Sequence, residues 1–388
     1  MAETRLDASP CIYLNNAATT WPKPETVLAE VEKCLRSPVF EHGRSTLGGA
    51  TDYPEETRSA LAGFFHAEKP DHFIFTSNAT DALNILIHGF AKNAGAPFHA
   101  ITTELDHNSM LRPLHTLKAE KKISLDIVPF TDNRIGLAAI KKAIRPETRL
   151  VAMTHGSNVL GSVQDLKPIA EYLAANEIFL IADGAQTAGH IPVDLTDIPV
   201  DAFAFTGHKA LFGIAGSGGF YLRDPEKVAI TKQGGTGTDS KSPFQPAEMP
   251  TRFEAGTPGY PGIASLLAGV RFIESVGIKE IKRKGNELSR QFIAELAKAK
   301  NIEVYNKNPE LPIVSFNIRG LDNDEAGFIL AKAYSIITRT GLHCAPLVHE
   351  RIDGGKGCVR ASFSWFNTPE ECRVATSAIL EVAEQCAS

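Results

Sequence analysis

Short apolar runs recur through the first half of the chain, each closed by a polar turn. Seven of them predict strands: Phe73–Thr76, His99–Thr102, Ser124–Val128, Leu150–Thr154, Ile178–Ala182, Ala202–Thr206 and Gly219–Leu222. Between several lie stretches with apolar residues at helical spacing, such as Thr80–Phe90 and Leu166–Ala175. Strands that alternate with helices predict an α/β unit with a mostly parallel seven-stranded sheet, covered on both faces. From about Gly262 the texture changes. Long charged helices are predicted over Ile263–Val276 and Ile278–Ala299, strands near Glu303–Tyr305 and Val314–Ile318, and a last helix over Pro369–Gln385. This reads as a smaller α+β domain. Gln233–Gly262, rich in Gly, Pro, Ser and Thr, reads as a long functional loop. The expected division is a large domain over 22–262 and a small domain made from 1–21 and 263–388.

Composition narrows the class. The chain has 388 residues, long enough for two domains. Its net charge of -5 gives no reason to expect a nucleic-acid or membrane partner. No apolar stretch approaches the ~20 residues that cross a bilayer, and Met1–Pro10 lacks the pattern of a secretory signal. The six cysteines are scattered, with no CxxC pair and no Cys/His spacing that suggests zinc. They fit a reducing cytoplasm, and no metal is expected. There is no Walker A loop, no GxGxxG after the first strand, and no HExxH or GxSxG.

Three segments carry candidate chemistry. Asp201-Ala-Phe-Ala-Phe-Thr-Gly-His-Lys209 is an apolar strand ending in a polar turn. A lysine there either stands over a cleft, where burial lowers its pKa and frees the amine to attack a carbonyl, or simply faces solvent. Asp183 closes the apolar run from Ile178. A buried carboxylate needs a positive partner or strong donors, though Asp-Gly also starts turns and caps helices. Phe75-Thr-Ser-Asn-Ala-Thr-Asp81 ends a strand and opens a helix, which suits a phosphate or an ordinary N-cap.

In this order the segments resemble the class V aminotransferase family, and within it the pyridoxal-phosphate (PLP) enzymes that act as cysteine desulfurases and selenocysteine lyases. The resemblance runs from Tyr13-Leu-Asn-Asn-Ala-Ala-Thr-Thr20 to Val359-Arg-Ala-Ser-Phe-Ser-Trp-Phe-Asn-Thr368. It implies the PLP-dependent transferase fold of type I. It makes Lys209 the Schiff-base lysine, pairs Asp183 with the pyridine nitrogen and Gln186 with the ring hydroxyl, and stacks His107 on the ring as a proton shuttle. Asn158, in His155-Gly-Ser-Asn-Val-Leu-Gly161, falls near ring and substrate. Thr80, Thr206 and His208 hold the phosphate. Thr257, in Phe253-Glu-Ala-Gly-Thr-Pro258, reaches the phosphate of a neighbouring subunit, which implies a homodimer.

The C-terminal part contains Thr338-Arg-Thr-Gly-Leu-His-Cys-Ala-Pro346. It matches the R-x-G-x-H-C-A pattern of the subgroup with a short thiol loop. By that resemblance Cys344 accepts sulfur, Arg339 and Arg360 bind the substrate carboxylate, and L-cysteine or L-selenocysteine yields alanine. Nearby Arg339, His343 or the substrate is expected to favour the Cys344 thiolate. The other five cysteines are read as structural. Arg44, in Phe40-Glu-His-Gly-Arg44, and the glycine-rich Gly234–Ser240 segment depart from the family pattern and point to a divergent branch. A selenocysteine lyase, an aminotransferase or epimerase that ignores Cys344, and a non-catalytic scaffold that binds a sulfur-acceptor protein are the rival readings.

Overall fold

Eight strands precede the long loop: β1 (Ile12–Tyr13), β2 (Phe73–Thr76), β3 (Phe98–Thr103), β4 (Ile123–Val128), β5 (Thr148–Thr154), β6 (Phe179–Asp183), β7 (Ala202–Thr206) and β8 (Gly218–Leu222). Four follow it: β9 (Ile302–Val304), β10 (Ile313–Ile318), β11 (Ile336–Ile337) and β12 (Val359–Ser362). They belong to a computed structural model that describes residues 11–38, 51–95 and 97–386. Arg44 lies outside the described residues.

The large sheet has seven strands in the order β2-β8-β7-β6-β5-β3-β4. All neighbours are parallel except β8, which runs antiparallel to both β2 and β7. The sequence shows why. β5, β6 and β7 are nearly continuous apolar runs, as strands covered on both faces must be. Phe203 and Phe205 feed one core layer with Leu180 and Met153. Ala202 and Ala204 feed the opposite layer with Ile181, Leu150 and Phe90.

In the C-terminal part, β10 lies between β9 and β12, antiparallel to both. Phe292, Phe316 and Phe363 pack there, with ring centroids 5.4 to 6.0 Å apart. β1 pairs in parallel with β11, so the N-terminal segment joins this unit across more than 300 residues of chain. The helix Tyr260–Val276 packs instead against the helices Glu25–Arg36 and Tyr53–Phe64. The expected boundary at 262/263 passes through its first turn, and the change of layer comes at Gly277, where the chain turns with φ +90° into the helix Ile278–Leu296. No single described helix is long and apolar enough to cross a membrane.

Candidate active site

β2, β3, β5, β6 and β7 end on the same edge of the large sheet, at Thr76, Thr103, Thr154, Asp183 and Thr206. In open α/β sheets ligands bind outside such carboxyl ends. A cavity lies there. Thr80, His107, Asn158, Asp183, Gln186, Thr206, His208 and Lys209 all line it.

Lys209 follows the last parallel strand by three residues and is held from below by the N-terminal segment. The Thr20 hydroxyl donates to the Lys209 carbonyl. The Thr19 hydroxyl, the Thr20 N–H and the Lys23 ammonium donate to the His208 carbonyl at 3.1, 3.0 and 2.9 Å. Burial lowers the Lys209 pKa to about 8, against the attraction of Asp183 and with help from Arg360 and Arg339. The sign sets a test. The rate at which pyridoxal phosphate joins the apoprotein should rise with pH and level off above about 8, as the free amine saturates. An unperturbed lysine, with a pKa of about 10.4, would keep accelerating well beyond that point. Stopped-flow absorbance across pH distinguishes the two.

Asp183 is the last residue of β6 and is 4 % exposed. Its Oδ1 accepts from Ala185 N at 2.9 Å, so the side chain closes a turn rather than capping a helix. Burial raises its pKa, which Lys209 and the Ala185 N–H oppose. Gly184 is required beside it, because a Cβ there would lie 2.1 Å from the Phe203 ring. One donated bond leaves this buried carboxylate short of a cation or donor in the cavity.

Three more residues that line this cavity carry unpaired polar atoms. Among the described residues, buried Gln186 Oε1, Thr206 Oγ1 and His208 Nδ1 have no hydrogen-bond partner. The Gln186 amide is anchored by donating to Ala17 O at 3.0 Å. The helix Ala79–Ala94 opens at the cavity. Its N-cap Asn78 accepts from Asp81 N, and the first-turn N–H groups of Ala79 and Thr80 have no acceptor within the helix. A pyridoxal phosphate fits this set. Asp183 suits a protonated pyridine nitrogen, Gln186 a ring hydroxyl, Lys209 an aldehyde, and Thr206, His208 and the helix terminus a phosphate.

His107 caps the helix Asn108–Ala119. Its Nδ1 accepts from Ser109 N at 3.0 Å and lies 2.8 Å from Ser109 Oγ, which leaves Nε2 to carry the proton. Burial, Lys209 and the nearby arginines lower its pKa to about 4, so the ring is neutral. Beneath it sits a residue the sequence reading missed. Asp106 is fully buried and accepts from Thr102 Oγ1, Thr103 N, Thr103 Oγ1 and Thr154 N at 2.5 to 2.9 Å. It ties the His107 turn to the ends of β3 and β5. In the sequence it reads only as one acid in a polar turn.

The thiol loop docks beside this cavity. Asn158 Nδ2 donates to His343 O and Asn108 N donates to Cys344 O, both at 2.7 Å. Cys344 is partly exposed and near enough for its charge to act on Lys209 and Arg360. Arg339 and Arg360 face each other across an antiparallel bridge. Like charges placed so repel. Arg360 is 1 % exposed, and burial with Arg339 lowers its pKa to about 9. Its Nη1 donates to Asn158 O at 2.8 Å and its Nη2 to Asn15 Oδ1 at 3.4 Å, while Nε has no partner among the described residues. A carboxylate between the two guanidinium groups would relieve the repulsion and fill that donor.

The expectation for His343 fares differently. His343 does not support the Cys344 thiolate: burial and Arg360 hold it well below the usual histidine range, so it is uncharged. Its ring nitrogens face His349 and Arg339 O instead. Thr257 is exposed and lies outside the Lys209 cavity, in a wider cleft with Arg58, Thr236 and Tyr260.

The aminotransferase class-V profile matches residues 12–374. A probable cysteine desulfurase of Halalkalibacterium halodurans is 31% identical over 378 residues, covering 95% of this chain and 92% of the relative. A solved cysteine desulfurase from Thermococcus onnurineus superposes with a TM-score of 0.89 at 29% identity, covering 97% of this chain and 95% of the other. The cysteine desulfurase CsdA from Escherichia coli gives 0.88 at 25% identity, with the same coverage.

Proposed function

The chain belongs to the aminotransferase class-V family, and on that premise we propose that it is a PLP-dependent cysteine desulfurase that passes the sulfur of L-cysteine to Cys344 and forms L-alanine. The observation that carries the reading is the docking of the Cys344 loop, through Asn108 and Asn158, beside the cavity that holds Lys209 and next to the paired arginines.

Each residue has a task the geometry supports. Arg360 and Arg339 hold the substrate carboxylate and fix which way the thiol points. The cofactor supplies an electron sink for charge developing at Cα when it is bound. Lys209, with its lowered pKa, takes the α-proton. The Cys344 thiolate attacks the substrate sulfur. A sulfur–sulfur bond forms, the carbon–sulfur bond breaks, and its electron pair stays on carbon, where protonation completes alanine. Cys344 is left as a persulfide. Neutral His107 lines the same cavity, and in this reading it would stack on the cofactor ring and move a proton at Nε2.

The reading extends to a cytoplasmic homodimer in which exposed Thr257 completes the partner's phosphate site, and to an acceptor protein or small thiol that removes the persulfide. The test is alanine formation from L-cysteine by wild type and Cys344→Ala. Loss of at least about 100-fold, with the cofactor's absorbance intact and turnover of L-selenocysteine retained, is expected, because removal of a nucleophile abolishes its covalent route. Equal turnover by the variant would sink the persulfide route.

A further inference from the structure

A second cluster of ligand-forming side chains lies behind the thiol loop, outside the cavity. The donor atoms of His343, His349 and Cys358 all fall within 4.8 Å of one another. The three residues are 3 %, 0 % and 0 % exposed. His343 Nδ1 is 3.3 Å from His349 Nε2 and 4.0 Å from Cys358 Sγ. Tetrahedral zinc, with bonds of about 2.0–2.1 Å to nitrogen and about 2.3 Å to sulfur, would space two nitrogens about 3.3 Å apart and a nitrogen and sulfur about 3.6 Å apart.

The surroundings of each imidazole match a ligand's. His349 Nδ1 lies 2.6 Å from Asp353 Oδ2, and the Asp353 side chain is 3 % exposed. Asp353 Oδ1 is itself fixed by Lys356 N and Gly357 N at 3.0 and 3.2 Å. His343 Nε2 faces Arg339 O at 3.3 Å. A metal-bound histidine gives its second nitrogen's proton to just such a carboxylate or carbonyl. With both outer nitrogens so used, the two inner nitrogens meet at 3.3 Å, a separation that suits either a shared proton or two ligands on one ion. The convergence of Cys358 Sγ on the same point, as a third donor atom, is what favours a cation over a shared proton. Two negative groups, the Cys358 thiolate and Asp353, would balance a doubly charged ion.

We propose that His343, His349 and Cys358 bind a zinc-class divalent cation, with Asp353 orienting His349 and a solvent ligand in the fourth position. The backbone is built for the approach. Gly357 has φ +88°, and a Cβ there would lie 2.8 Å from the Gly341 carbonyl carbon, so the 353–358 turn can press against the thiol loop only with glycine at that point. Cys358 N donates to Gly341 O at 3.2 Å. The bond to His343 clamps the residue before Cys344. His343 and Cys344 sit at φ 50° and 58°, a conformation that non-glycine residues hold only when their surroundings fix it. The consequence for Cys344 rests on the desulfurase reading; the site itself does not.

The test uses the full-length, PLP-loaded protein, stripped with a chelator and reloaded with zinc or cobalt(II). About one metal per chain is expected, and the cobalt form should show tetrahedral d–d bands and a thiolate charge-transfer band. Cys358→Ser should abolish the charge-transfer band. Asp353→Asn should weaken zinc binding by about 10–100-fold while the cofactor spectrum, which reports folding, stays unchanged. Wild-type protein that takes up no stoichiometric metal overturns the proposal, as does equal binding by wild type, His349→Gln and Cys358→Ser. Metal content is read without turnover. A protein that binds zinc but forms no alanine therefore keeps this site and loses only the desulfurase reading.

Discussion

Replacing Lys209 by alanine should lower alanine formation by at least about 10⁴-fold, since the change removes both the cofactor's covalent anchor and the base for the α-proton. The expectation rests on position as well as residue type. Lys209 stands among Asp183, Thr206 and His208, and its amine is free at a pH where an ordinary lysine is charged. Lys23 is the competitor. It too is half-buried, with a pKa lowered to about 8, but its ammonium is spent on the His208 carbonyl and it lies outside the cavity lining. Borohydride reduction of the loaded wild type followed by peptide mass mapping should place the cofactor's mass on Lys209 alone. A label on Lys23, or turnover that survives in Lys209→Ala, would remove Lys209 from its role.

What could be read from the chain follows from where its signals are local. β5, β6 and β7 are nearly continuous apolar runs, and each ends on a residue that lines the cavity, so strand and site were legible together. The helix Asn108–Ala119 was not, because Pro113 lies within it and its cap is His107 rather than a small hydroxyl or acid. The arginine pair was legible as two residues but not as a bridge. Asn15, which holds Arg360, is 345 positions away. Asp106 gives no signal because its burial is the work of β3, β5 and its own turn at once. The spacing of His343, His349 and Cys358 follows no zinc pattern, for the third ligand arrives only when the 353–358 turn folds back on Gly341.

Arg360→Ala should reduce kcat/KM for L-cysteine by about 10²–10³-fold, equivalent to roughly 3–4 kcal/mol, the range for truncating one partner of a buried charged pair. The loss follows from a geometry prepared for an anion. Two arginines pair across a backbone bridge, Arg360 is almost wholly buried, and among the described residues its Nε has no partner. An apolar truncation also frees the Asn158 carbonyl, so the Cys344 loop loses one of its braces. Arg360→Lys separates these effects. A lysine can still donate to Asn158 O, but offers a single point charge in place of a fork, and should recover only part of the loss. Cysteamine, which is cysteine without its carboxylate, supplies the control. If Arg360 acts by holding the carboxylate, the wild type should process cysteamine as poorly as Arg360→Ala does. If the variant loses as much on cysteamine as on L-cysteine, Arg360 serves the loop rather than the substrate, and the carboxylate site must be sought elsewhere.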